Sequence, residues 1–123
     1  MIFSLMPAYG GDERETILLA RSIRQFAGVV ADSAIHVMEP EQSPLSTAAR
    51  RALEELSVSV FPFCLPPGGL DFPLAQKVYA AAEAEDRAGK DLLVWMDSDT
   101  MVLDQPDAFQ LPESVSLGCC PVH

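Results

Sequence analysis

Short apolar runs alternate along the chain with longer stretches in which apolar residues recur at helical spacing. Met1–Met6 (MIFSLM) predicts a buried strand, and Pro7-Ala8-Tyr9-Gly10-Gly11 a loop. Asp12 is placed as an N-cap, with Glu15 three residues on completing a capping box. The helix it opens runs to about Ala27, carries Leu19, Ile23 and Phe26 on one face and stops at Gly28. Ala34–Met38 (AIHVM) predicts a second strand, ended by Glu39-Pro40. Ser43-Pro44 reads as an N-cap and first helical residue, followed by the stripe Leu45, Ala49, Ala52, Leu53 and Leu56. Val58–Phe63 predicts a third strand, with Pro62 favouring an edge. After the loop Pro66-Pro67-Gly68-Gly69, Pro73 opens a third helix with Leu74, Val78 and Ala81 inward, running to about Arg87 before Gly89. Leu92–Met96 (LLVWM) is the most continuously apolar run, as expected of a central parallel strand buried on both faces. Val115–Cys120 reads as a final strand.

This order, β-α-β-α-β-α-β and a remainder, predicts an α/β fold: a Rossmann-like three-layer α/β/α sandwich with a mainly parallel sheet. The length of 123 residues suits one domain, residues 1–123. Ligands of such sheets bind beyond the carboxyl ends of the strands, which selects the loops after Met6, Met38 and Met96. The first of these loops has neither G-x-G-x-x-G nor a P-loop, which disfavours dinucleotide enzymes and Walker-type NTPases.

Charge narrows the field further. Eighteen acidic residues against eight basic ones give a net charge of -10. Nucleic acids and anionic membrane surfaces need clustered cations, so neither is an expected partner. No apolar run approaches the ~20 residues that span a bilayer. The N-terminal run lacks the basic flank of a signal peptide. Cys64, Cys119 and Cys120 form no disulfide or zinc pattern and read as small buried residues of a cytoplasmic protein. A phosphorylated ligand would need positive charge from outside this side-chain set.

Asp97 and Asp99 follow the LLVWM strand at a spacing that, in a strand, puts both carboxylates on one side. Neighbouring carboxylates repel unless a cation lies between them, and hard oxygen ligands suit Mg²⁺ or Mn²⁺. In a chain with nine aspartates the tripeptide alone says little. Its place at the end of the fourth strand says more. A solvated strand end with turn-forming aspartates is the bland reading.

The segment Leu92-Leu93-Val94-Trp95-Met96-Asp97-Ser98-Asp99-Thr100-Met101-Val102-Leu103 resembles the D-x-D segment of nucleotide-sugar glycosyltransferases of the GT-A fold, in the manner of the glycogenin type (family 8). The resemblance covers only the N-terminal half of such enzymes. It implies a divalent metal, Mn²⁺ or Mg²⁺, held by Asp97 and Asp99 and bridging the diphosphate of a UDP-sugar. It implies donor contacts from Ser98 and from Lys77, on the helix before the D-x-D strand. Lys77 is one of only two lysines, and its bland reading is a solvated helix residue. It also implies base contacts from Ala8 and Tyr9 in the first loop, with Tyr9 able to stack on uracil. The acceptor and the general base are not assigned by these residues. His36 reads as a structural strand residue and His123 as a terminal one.

Two other readings stand beside this one. A non-catalytic nucleotide-binding or structural half-domain would keep the fold without turnover. Asp97-Ser98-Asp99-Thr100 also resembles the nucleophile motif of haloacid-dehalogenase-type phosphatases, although no lysine of that family's kind follows Asp99. An open sheet edge would in addition favour self-association.

Overall fold

The computed structural model describes residues 1–7, 12–69, 72 and 74–119. Four parallel strands, β1 (Ile2–Met6), β2 (Ala34–Pro40), β3 (Val58–Phe63) and β4 (Leu93–Asp97), lie in the order β3-β2-β1-β4. Helices α1 (Glu13–Phe26), α2 (Thr47–Glu55) and α3 (Ala75–Ala88) connect them in turn. The expected three-layer α/β architecture is therefore present.

From β1 to β3 the chain steps outward in one direction, and both connecting helices pack on one face. Phe3, Leu5, Ile35, Val37, Val58 and Val94 meet Leu19, Ile23, Ala49 and Leu53 there. The step from β3 to β4 passes back beyond β1. With crossovers of constant hand, that reversal sends α3 to the opposite face. On that face Met6, Met38, Phe63 and Leu65 pack against Ala80 and Ala84. Strand alternation sorts the two sets without exception, as period-2 geometry requires.

Several local expectations are corrected. The interior strands are β2 and β1, with every residue of β1 buried, whereas β4 lies at an edge of the sheet and is mostly half-buried. The apolar run of β4 reflects cover on both faces, by α3 and by the chain after it, and not pairing on both sides. β3 takes the other edge, where Pro62 is tolerated. α2 is capped by Ser46, not Ser43, because Leu45 turns inward before the helix begins. Leu74 and Val78 are exposed, and α3 buries Gln76, Ala80, Ala84 and Ala88 instead. The large side chains at that interface come from the sheet, so the helix presents its small ones. Residues 115–119 form no strand, and Cys64 and Cys119 are exposed free thiols. Cys120 and His123 lie outside the described residues.

The end of α1 illustrates how tightly a turn can specify its residue. Gly28 follows the C-cap Ala27 with φ +57°, a conformation that L side chains rarely adopt. A Cβ at Gly28 would also run into the Gln105 side chain, which accepts a hydrogen bond from the Val29 N–H at 3.2 Å. Arg24, one turn earlier, donates to the carbonyls of Leu56, Ala31, Ser33 and Ser57 at 2.9, 2.5, 2.8 and 3.2 Å. It thereby ties α1 to the chain entering β2 and to the end of α2. Desolvation lowers the Arg24 pKa, with Asp32 opposing the effect. Among the described residues no helix is long and apolar enough to cross a membrane.

Candidate functional site

Strand order reverses between β1 and β4, and in parallel α/β sheets the carboxyl-end rim at such a reversal is where ligands bind. Met6 and Asp97 are register partners at that rim. Of the three loops selected from the sequence, topology thus favours those after Met6 and after the LLVWM strand. The loop after β2 is occupied by structure instead. Glu39 is buried there, accepts from the Leu45 N–H at 2.7 Å and pairs with Arg50.

Asp97 is the last residue of β4, two positions beyond Trp95. Leu93 and Trp95 face α3, so the strand period turns Asp97 to that side as well. Lys77, in the first turn of α3, meets it there: Lys77 Nζ donates to Asp97 Oδ2 at 2.8 Å, with the two side chains 42% and 44% exposed. Two residues twenty positions apart, both singled out from the sequence, are therefore brought into contact.

The chain turns immediately afterwards. The Thr100 N–H and O–H both donate to the Asp97 carbonyl, at 3.1 and 2.6 Å. Ser98 is buried in this turn and Asp99 is exposed. Asp99 belongs to this turn and not to the strand, so strand period does not put its carboxylate on the side of Asp97 as the spacing predicts. Beyond the turn the chain is fastened to α1. The Val102 N–H donates to Ser22 Oγ at 3.0 Å, and the Ser22 hydroxyl donates in turn to the Leu19 carbonyl at 2.8 Å. Further on, the Phe109 ring stands edge-on to Phe3.

All three helices begin at this carboxyl end of the sheet, since each runs antiparallel to the strands. Asp12 caps α1 by accepting from the Arg14 N–H at 2.9 Å, without a side-chain bond to the Glu15 N–H. Ser46 caps α2 by accepting from the Ala49 N–H at 3.1 Å, and Glu13 accepts from the Ser46 N–H and O–H at 2.6 Å each. α3 differs. Its N-cap, Leu74, contributes no side-chain hydrogen bond, and its first turn contains a lysine and no acid. The start of α3 is thus a positive element of the rim: helix N–H groups, macrodipole and Lys77 together.

Gln76, next to Lys77, escaped sequence reasoning. It is 1% exposed, and neither Oε1 nor Nε2 has a hydrogen-bond partner among the described residues. A glutamine on a helix reads as solvent-facing. The signal that points inward is the four-residue spacing it shares with Ala80, Ala84 and Ala88. Ala8 and Tyr9 lie outside the described residues.

Among the described residues no three His, Cys, Asp or Glu side chains stand together as a metal cage. One or two carboxylates at a strand end form a different donor set, one that leaves most of a hard cation's coordination to water and phosphate oxygens.

The acidic turn and Lys77 lie at the switch point of a parallel α/β sheet, the place where sheets of this kind bind their ligands. Residues 9–118 match the family described as the Rhodobacterales glycosyltransferase domain, and the chain belongs to that family. Membership implies a sugar donor and an acceptor. No protein with curated annotation matches the chain.

Proposed function

We propose that this domain binds a nucleotide-diphosphate sugar, a UDP-sugar in the first instance, and transfers its sugar to an acceptor in the manner of GT-A enzymes of the glycogenin type. The observation that carries the reading is the Lys77–Asp97 contact at the β1/β4 switch point, in a chain whose family is glycosyltransferase. Glycosyl transfer leaves negative charge on the departing diphosphate, so the site must supply positive charge. The protein as a whole is acidic, and among the described residues Lys77 and the start of α3 offer it beside Asp97. Asp97 and Asp99 would hold Mn²⁺ or Mg²⁺, which supplies Lewis-acid stabilisation of the leaving group when bound. Ser98, buried in the turn, is assigned to the donor by resemblance alone. Ala8 and Tyr9 are assigned to the base by resemblance alone. The free thiols suit a reducing cytoplasm.

Calorimetry with UDP and Mn²⁺ tests this reading in the wild type, Asp97→Asn and Asp99→Ala. Metal-dependent UDP binding that falls at least about tenfold in each variant is the expected result, since each removes a charged contact. Release of sugar from a UDP-sugar supports the enzyme, whereas the same binding without turnover supports a nucleotide-binding module. Binding of UDP that ignores both substitutions refutes the site.

A further inference from the structure

We propose that the β4 edge of the sheet is a docking surface for a second copy of this chain, joined by antiparallel β4–β4 pairing across a two-fold axis. The inference is independent of what the rim of the sheet binds.

Backbone geometry carries it first. The Ile2 N–H donates to the Leu92 carbonyl at 2.8 Å, and Ile2 and Ser4 stand in register with Leu93 and Trp95. In a parallel ladder the groups that reach one neighbour alternate along the strand, so those of Val94 and Met96 face β1. The N–H and C=O groups of Leu93 and Trp95 turn outward, where the sheet has no further strand among the described residues. The two edges of the sheet also differ. β3 is interrupted by Pro62, one of the devices that stop an edge strand from adding partners. β4 has no proline, and no charge falls between Asp91 and Asp97. Exposed apolar side chains flank β4 on both faces. On one face Lys77 reaches Asp97, so the stripe it shares with Leu74 leans over the end of β4, and Leu74 and the neighbouring Val78 are exposed. On the other, Met101 and Leu103 flank the buried Val102 and are turned out to solvent.

These features favour a second copy over another occupant. A net charge of -10 repels a like molecule over most of the surface, which leaves the uncharged β4 strand as the place where two copies can meet. A basic partner would be drawn to the acidic faces instead. Two identical strands paired antiparallel are self-complementary, so the outward groups of Leu93 and Trp95 in each copy meet the same groups of the other. Leu74, Val78, Met101 and Leu103 are each more than half exposed, and they add the area that a strand edge alone lacks against the about 800 Å² per partner of a stable interface. The joined sheet then ends at a Pro62-bearing β3 on both sides, so assembly closes at two copies.

Sedimentation of the full chain over a concentration series, combined with amide hydrogen exchange, tests this. The wild type is expected to sediment as a dimer that dissociates on dilution. The Leu93 and Trp95 amides should exchange slowly in the dimer and fast in the monomer. Those of Val94 and Met96, bonded to β1 in both, are the internal control. Val78→Glu and Leu103→Glu change positions that are 67% and 75% exposed, and circular dichroism checks that each variant folds. Each brings like charges to the seam and is expected to weaken the dimer at least about tenfold. A monomer at every concentration overturns the proposal. Fast Leu93 and Trp95 amides in that monomer mean an edge left to a different partner, and slow ones an edge covered by the chain itself. A dimer in which these amides stay fast, a dimer indifferent to both substitutions, or species that grow beyond two copies would each overturn it as well.

Discussion

Gln76→Met should stabilise the protein. The wild-type carboxamide is buried with both of its polar atoms unpartnered among the described residues, one turn from the apolar layer of Ala80, Met6 and Met38. A buried polar group left without a partner costs about 1–3 kcal/mol. Methionine keeps the unbranched shape and helix propensity of glutamine and needs no partner. Small packing adjustments offset part of the gain, so the net change should be about 1–2 kcal/mol. For a chain of this length that is a rise in Tm of about 4–8 °C. Thermal and urea denaturation followed by circular dichroism measure it, with an unchanged urea m-value as the sign that only native stability moved. Gln76→Glu is the opposing control: it buries a charge at the same place and should destabilise strongly. A lower urea midpoint for Gln76→Met would refute the reasoning, because it would mean that the carboxamide is satisfied in the folded protein.

Arg24→Met should cost about 2–3 kcal/mol, since four carbonyls lose a charged donor and solvent replaces only part of it. Because Arg24 lies at the end of the sheet opposite Asp97, UDP and Mn²⁺ titrations should not change, and a loss of binding would contradict that separation. His36, edge-on to Phe61, has its pKa lowered below the ordinary 6.5 by burial, with Arg87 adding to the effect. The unfolded chain therefore takes up this proton more readily. The stability His36 contributes is complete above about pH 6.5 and is lost as the pH falls through the lowered folded value. His36→Leu should flatten that part of the pH–stability curve, and an unchanged slope between pH 7 and pH 5 would count against the assignment.

The architecture was legible in the sequence because the strands are short apolar runs and the helices between them carry caps and stops that act locally. Asp12 at the start of α1 and Gly28 past its end are where the sequence places them. What failed was whatever depends on partners distant in sequence. β4 looks central because both of its faces are covered, yet hydrogen bonding to a neighbour strand is a separate matter from side-chain burial, and only the sheet order separates the two. The spacing of large residues on α3 predicts the wrong inward face, because large side chains pack inward only where the opposing layer leaves room. The sheet already fills that layer with Met6, Met38 and Phe63, so alanines fit and Leu74 and Val78 do not. At the site, the Lys77–Asp97 contact joins two residues that the sequence singles out for different reasons. Gln76 was invisible because its helix position, and not its residue type, decides that it is inside.

The chain leaving the acidic turn is pinned at Val102 by Ser22, at Gln105 by Val29 and at Phe109 by Phe3. On its other side the turn is continuous with a strand paired to β1. A ledge anchored fore and aft makes a stiff jaw. Differences in ligand preference between relatives should therefore collect elsewhere than on this ledge, which keeps its shape.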